Sequence, residues 1–378
     1  MKIFGTSFGE RLKRIDPVLF SASLFLSLLS IITIFGSVDN FGRSKLVMQI
    51  AMTALGVVAV FLVANLDYRF FIDRFAVIMF LASAFLLAIT LFFGITGENM
   101  ETENRSWLTI PVVGIAIQPS EFVKITFLCT FAKHIETVKD RLNRPSTLLG
   151  LGVHAGVIVG LILLSGDLGV ALVYIGLIAV MLYCGGLSLW YFGGAAALLG
   201  VSLPLIWNFL LKPYQKMRII YGFDPSLDPQ NYGRQALMSR DAIANGGLFG
   251  RGLFGGSVYE DLTASHTDFI FATVCEKFGY IGGFLVVAGL AVIVVRLIQL
   301  GMRARDGMGR LICCGIAGIM ILQTVENLWM CLGLVPVVGI TLPFLSAGGS
   351  SMLALYVLMG FAHSVYAQEK KFYFRREF

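Results

Sequence analysis

The chain has 378 residues, 57% of them hydrophobic and only 14% charged, with a net charge of +6 and a mean hydropathy of +0.82. That composition excludes a soluble globular enzyme and a disordered chain, and indicates an integral membrane protein. Apolar runs of roughly 20 residues recur along the whole length; lacking the polar alternation of an outer-membrane strand, they are read as helices, which satisfy their own backbone hydrogen bonds in lipid.

In chain order, about ten spans are expected on the length criterion: Pro17 to Phe35, Leu46 to Asn65, Phe75 to Ile95, Pro119 to His134, Thr147 to Leu164, Leu168 to Cys184, Leu189 to Leu211, Asp268 to Val295, Leu311 to Leu334 and Ser350 to Tyr366. The fold class is all-α: a polytopic membrane protein with a large extracellular cap between the seventh and eighth spans, residues 1–378 being read as one membrane domain. The first span is too long, and lacks a cleavage site, for a removable signal peptide. In the fourth, the apolar part from Phe122 to Ala132 is too short to cross alone, so a partly embedded helix supported by its neighbours is expected. The eighth would reach about 42 Å against a hydrocarbon core of about 30 Å, and should tilt, project, or kink near Gly279, Gly282 and Gly283.

Lys and Arg in the short connections set the orientation. Lys2, Arg11, Lys13 and Arg14, then Lys133, Lys139, Arg141 and Arg144, then Arg296, Arg303, Arg305 and Arg310, and finally Lys370, Lys371, Arg375 and Arg376 fall on one face. The opposite connections include the acidic "GENMETEN" at 97–104, so both termini are assigned to the cytoplasm. The positive charge is thus an insertion signal and implies no nucleic acid. Cysteines 129, 184, 275, 313, 314 and 331 lie within or at the ends of spans, with no disulfide framework or metal-ligand spacing, and are read as small apolar packing residues.

One connection, Lys212 to Ser265, is long. Its "FDPSLDPQ" sets two Asp-Pro turns in a row, and "SRDAIANGGLFGRGLFGGS" mixes a short amphipathic helix with Gly-rich turns, so a folded external cap is expected.

Ionisable groups near lipid are costly and therefore informative. In "NRSWLTIPVVGIAIQPSEFVKI" at 104–125, Pro119 suits a helix start, and Glu121 and Lys124 share a face as either an i,i+3 ion pair or a functional couple. Arg105 and Trp107 read equally as an interfacial anchor. Asp167, in the tight turn "SGDLG", reads first as a helix cap. Lys216 and Arg218, followed by Arg234, Arg240 and Arg251, suit either an anionic headgroup or a solvated basic surface. In "ASHTDFIFATVCEKFG" at 264–279, Ser265 and Asp268 fit a capping box, while the same geometry holds the Asp268 carboxylate beside His266 at the membrane boundary, where a general base would sit. Burial there would raise its pKa and nearby cations would lower it, and spacing does not fix the sign.

"QPSEFVKI", "DLG", "DPSLDP" with "GGLFGRGL", "HTDFIF" and "PVVGITLPFLSAGGSS" occur in this order along nearly the whole chain, which resembles the SEDS family (shape, elongation, division and sporulation). The short amino-terminal tail suits the rod-shape type before the division type, with a sporulation paralogue open. The resemblance implies a peptidoglycan glycosyltransferase that polymerises lipid II at the outer face of the cytoplasmic membrane, with Asp268 as its essential acid. It also implies inversion at the sugar and release of undecaprenyl pyrophosphate. Glu121, Lys124, Asp167, Arg105, Trp107, Lys216, Arg218, His266, Glu276, Ser346, Gly348, Gly349 and Ser350 are implied at the substrate. A class B penicillin-binding protein is the implied partner. The resemblance admits a divalent cation, Mg or Mn, on the pyrophosphate, and no organic cofactor. Gly166, Ala347 and Lys277 depart from the family's usual Pro, Tyr and Glu. A lipid II flippase or other lipid transporter is the alternative, and a non-catalytic scaffold of the cell-wall machinery comes after it; the absence of an internal repeat counts against rocking halves.

Overall fold

The computed structural model describes residues 14–96, 105–110, 115–211 and 213–376. Lys2, Arg11, Lys13, the acidic 97–104 stretch and Lys212 lie outside the described residues. Ten long helices run in chain order: α1 Pro17–Phe35, α2 Arg43–Ala64, α3 Tyr68–Phe93, α4 Pro119–Val138, α5 Pro145–Leu164, α6 Leu168–Cys184, α7 Leu189–Leu205, then, after two shorter ones, α8 Pro213–Phe223 and α9 Arg234–Gly246, the last three, α10 Ile270–Arg303, α11 Gly307–Cys331 and α12 Gly349–Arg376. Among the described residues, eight helices are long and apolar enough to cross a membrane. The remaining two long ones are α6, with 17 residues, and α4. Most of α4 is buried by its neighbours, including Glu121 and Lys124, which is why it carries polar residues that a lipid-facing helix would not.

The starts follow the local sequence. Asp16 precedes Pro17 and its carboxylate accepts from the Leu19 amide at 2.9 Å, opening α1. α2 and α12 approach closely through small residues: a Cβ on Gly56 would strike the Tyr356 ring, and one on Gly360 would lie 2.6 Å from Val63.

The all-α expectation needs one addition. β1 Ile95–Thr96, β2 Arg105–Ile110 and β3 Ile115–Ile117 form a small antiparallel sheet in the order β1-β2-β3, with Ile95 opposite Trp107 and Leu108 opposite Ile117. The alternation along "RSWLTI" is the period-2 signal of this strand.

The expected kink in the long eighth span is present at Gly279, whose φ is 70°. A bend there breaks the helical bonds from the amides of Tyr280 and Ile281 to the carbonyls of Glu276 and Lys277. The Gly-rich segment 247–252 repairs all four groups: Tyr280 N–H donates to Gly247 O at 2.8 Å and Ile281 N–H to Leu248 O at 3.4 Å, while Arg251 N–H donates to Glu276 O at 2.9 Å and Gly252 N–H to Lys277 O at 3.0 Å. This close approach demands glycine, because a Cβ on Gly250, where φ is 84°, would collide with the Lys277 carbonyl.

The basic connections share one end of the bundle, as the charge pattern requires. Arg14 donates to Asn65 O, Arg296 pairs with Asp16 at 2.6 Å, Arg69 pairs with Asp306 at 3.3 Å, and Lys133 pairs with Asp73. The opposite end gathers the sheet, the α5–α6 turn, the cap segment 213–269 and the loop 332–348: Arg105 N–H donates to Ser165 O at 3.1 Å, Ser239 Oγ to Cys331 O at 2.8 Å, and Ala347 N–H to His266 O at 2.9 Å.

Candidate active site

Asp268 lies in a tight turn, not in a helix. The amides of Thr267 and Phe269 both donate to Ala264 O, and α10 begins only at Ile270, with Phe269 at its N-cap and no side-chain cap bond. The capping-box expectation for Ser265 and Asp268 is therefore corrected: the left-handed backbone of Ala264, φ 58°, turns the chain so that neither residue caps the helix. Phe344, φ 63°, is the other described non-glycine residue in this region of backbone space, and it sits in the loop that faces this turn. Such residues cost about 1–3 kcal/mol and persist where surrounding structure over-determines them.

Three contacts fix the turn. Asn327 Nδ2 on α11 donates to Asp268 O at 2.7 Å and to Ile340 O at 2.7 Å. Ser346 Oγ donates to Thr267 O at 2.7 Å and accepts from the Leu342 amide at 2.7 Å. His266 contributes its carbonyl to Ala347 N–H, and its ring packs on Phe41 with centroids 5.2 Å apart. Asp268, half-buried as a residue, has its carboxylate beside Gly339, where a Cβ would lie 3.5 Å from Oδ2. Burial pushes its carboxyl up to about 6; Arg218 pulls it down, Asp167 adds to the rise, and the Thr267 hydroxyl opposes it.

Asp167 is the N-cap of α6, as its turn implies, accepting from Val170 N–H at 3.1 Å, and its second oxygen accepts from Gln118 Nε2 at 3.1 Å. Its carboxyl is raised by burial, with the Val170 and Gln118 bonds opposing, Glu121 adding to the rise and Lys124 opposing it. Gln118 N–H donates to Ser350 Oγ at 3.2 Å, which ties the start of α4 to the start of α12. Beneath lies the buried pair Lys124 Nζ to Glu121 Oε1 at 2.8 Å. A void of about 10 Å³ touches Ser106, Ser120, Ser165 and Asp167, room for about one water.

The structure thus gathers Asp268, Asp167 and Arg218 within electrostatic reach, with Ser346 and Ser350 as bracing hydroxyls, the Glu121–Lys124 pair below, and Gly348 and Gly349 in the turn between the two serines. Arg105 and Trp107 stand on β2, which the Arg105 amide ties to the Asp167 turn. Lys216 is two residues from Arg218 on α8 and so does not share its face. Glu276 is not brought to Asp268: its buried carboxylate accepts from Asn245 Nδ2 at 2.7 Å and from the amides of Ser257, Val258 and Tyr259 at 3.1, 3.1 and 2.8 Å, anchoring the cap segment. Lys277 has a similar task, donating to Gly36 O at 3.0 Å and Leu253 O at 2.8 Å. Arg240 and Arg251 are also engaged within the protein, Arg240 with Gly333 O at 2.9 Å and Arg251 with Asn245 at 2.7 Å. Among the described residues no group of three or more His, Cys, Asp or Glu side chains could hold a metal ion.

Sequence reading passed over Gln118 and Asn327. A polar amide inside an apolar run, as in "TVENLWMC", is the signal that would have found Asn327.

The FtsW/RodA/SpoVE cell cycle protein family matches residues 14–371. The chain belongs to this family. SEDS relatives include the stage V sporulation protein E of Bacillus subtilis (strain 168), 34% identical over 85% of this chain and 86% of that one. The peptidoglycan glycosyltransferase MrdB of Escherichia coli (strain K12) is 29% identical over 94% of each chain. A chain of a solved peptidoglycan synthase complex, described for its coordination of polymerization and crosslinking, superposes with a TM-score of 0.80 at 28% identity, covering 94% of this chain and 98% of that one. The SEDS match extends over the first nine long helices, most of α12 and the turn that carries Asp268.

Proposed function

We propose that this SEDS protein is a peptidoglycan glycosyltransferase that polymerises lipid II, the undecaprenyl-pyrophosphate-linked disaccharide-pentapeptide, at the outer face of the cytoplasmic membrane. The reading is supported by the family and by the names of relatives such as MrdB. The observation that carries it is the Asp268 carboxylate on a turn whose backbone Asn327 and Ser346 hold, raised by burial and within electrostatic reach of the Arg218 guanidinium.

A base with a pKa near 6 is ionised at neutral pH yet still basic enough to take a proton. Asp268 would accept the proton of the acceptor sugar's 4-hydroxyl as that oxygen attacks the donor's anomeric carbon. Displacement from the face opposite the pyrophosphate inverts the centre, so a second carboxylate nucleophile is not required. Arg218 would meet the charge that grows on the departing pyrophosphate. Asp167, bonded to Val170 and Gln118, is assigned to shaping the site around Asp268. A divalent cation is given no step, because the described side chains do not assemble a ligand set for it. The basic end of the bundle is placed in the cytoplasm, and a class B penicillin-binding protein is the proposed partner for crosslinking.

The test is polymerisation of lipid II by the purified protein, with and without that partner. Glycan chains from the native protein and none from Asp268→Asn support the assignment. Lipid movement across vesicles without polymer would replace it with transport.

A further inference from the structure

None of the six cysteines is in a disulfide, and Cys184 and Cys314 meet at the end of the bundle opposite Asp268. α6 and α11 pack antiparallel through small residues. A Cβ on Gly176 would lie 2.5 Å from Leu322, and one on Gly318 would lie 3.0 Å from Val180. From the first contact to the second, the seam advances one turn along α6, Gly176 to Val180, while it retreats one turn along α11, Leu322 to Gly318. The next turn of the same register pairs Cys184 with Cys314. The register sets the two thiols side by side, and Arg310, one turn before Cys314, acts electrostatically on both. Both residues are half-buried, whereas Cys313 is fully enclosed.

We propose that Cys184 and Cys314 are a redox-responsive dithiol, closed to a disulfide by exchange with a low-molecular-weight disulfide such as oxidised glutathione. One protein thiolate attacks a sulfur of the reagent, breaking its S–S bond and releasing one small thiolate, which takes up a proton. The other protein thiol, losing its proton, attacks the protein sulfur of the mixed disulfide and expels the second small thiolate. Two protein thiols are oxidised and one reagent disulfide is reduced to two thiols, so electrons and protons balance. Exchange proceeds through the thiolate, which a neighbouring cation favours, and the guanidinium supplies that cation. In reducing surroundings the pair stays open, and an oxidative load closes it. The bond would staple α6, whose far end carries Asp167, to α11, whose far end carries Asn327.

The experiment uses the purified full chain in detergent, incubated with reduced or oxidised glutathione, alkylated under denaturing conditions and mapped by mass spectrometry. Oxidised glutathione should convert the two alkylated cysteines into one linked peptide pair, Cys184 with Cys314, and dithiothreitol should reverse it. Cys184→Ala should leave Cys314 carrying a glutathione adduct instead of a protein link. The thermal midpoint should rise on oxidation of the native chain and stay put in Cys184→Ser/Cys314→Ser. Full alkylation of both residues after oxidation, or a link from Cys184 to Cys313, would overturn the proposal; if a variant fails to fold, the peptide map of the native chain decides alone.

Discussion

Asn327 holds the backbone carbonyl of Asp268 with the same amide nitrogen that holds Ile340, each at 2.7 Å. The amide therefore couples the Asp268 turn to the loop that contributes Gly339 and Ser346. Replacing it with alanine leaves Ile340 O without this donor and Asp268 O with only the weak Cys331 thiol at 3.8 Å, at about 1–3 kcal/mol for a buried carbonyl left unsatisfied. Asn327→Ala should lower the thermal midpoint and cut the polymerisation rate by about tenfold or more, with a smaller change in KM, because position is lost while the reacting groups remain. Parallel melting curves and lipid II kinetics check this.

The pH profile should carry the signature of residue 268. A general base works as the carboxylate, so the rate should climb with pH through about 6 and then level off. Arg218 holds the carboxyl down and Asp167 holds it up. Arg218→Met should thus move the acid limb to higher pH, and Asp167→Asn should move it to lower pH. Opposite displacements in a rate-versus-pH titration are the expected result; equal ones would detach the limb from this carboxylate.

The Glu121–Lys124 pair is buried on both sides, with 4% and 1% of the residues exposed. Removing one partner strands a charge, at a cost of about 3–5 kcal/mol, while replacing both with apolar residues removes the desolvation problem as well. Glu121→Leu alone should therefore destabilise more than Glu121→Leu with Lys124→Met, measured by thermal unfolding in one detergent. Stability restored in the double variant without polymerisation would assign the pair to the active site as well as to the fold.

Two glycines with similar backbone make a controlled comparison. Gly250, φ 84°, has no space for a Cβ, whereas Gly186, φ 94°, meets nothing within 4 Å. Gly186→Ala should cost only the strain of the left-handed conformation, about 1–2 kcal/mol. Gly250→Ala should add a backbone collision, cost more than that, and expose the cap segment to limited proteolysis.

Much of this was legible in the chain itself. Hydropathy marks most of the long helices because a helix hides its backbone from lipid, and the length of the eighth span left a kink near Gly279, Gly282 and Gly283 beside tilt and projection as its outcomes. Asp167 as a helix cap and Glu121 with Lys124 as an i,i+3 pair were both local, and spacing is enough to read local contacts. The start of α10 was misplaced because a left-handed Ala264 has no signature in composition. The family resemblance implied Glu276 at the substrate, yet its oxygens face amides of the cap segment, a pairing that only the folded cap creates. Gln118 and Asn327 went unnoticed because their partners, Asp167, Ser350, Asp268 and Ile340, come from other elements.

The bend at Gly279 has a mechanical consequence. Its four displaced peptide groups are all satisfied by residues 247–252, so α10 cannot straighten or swing at that joint without shedding the glycine segment, and the segment cannot lift away without leaving the joint unpaired. Hinge and lid are one cooperative unit. Anything that grips the segment from outside gains leverage over the helix that begins two residues after Asp268.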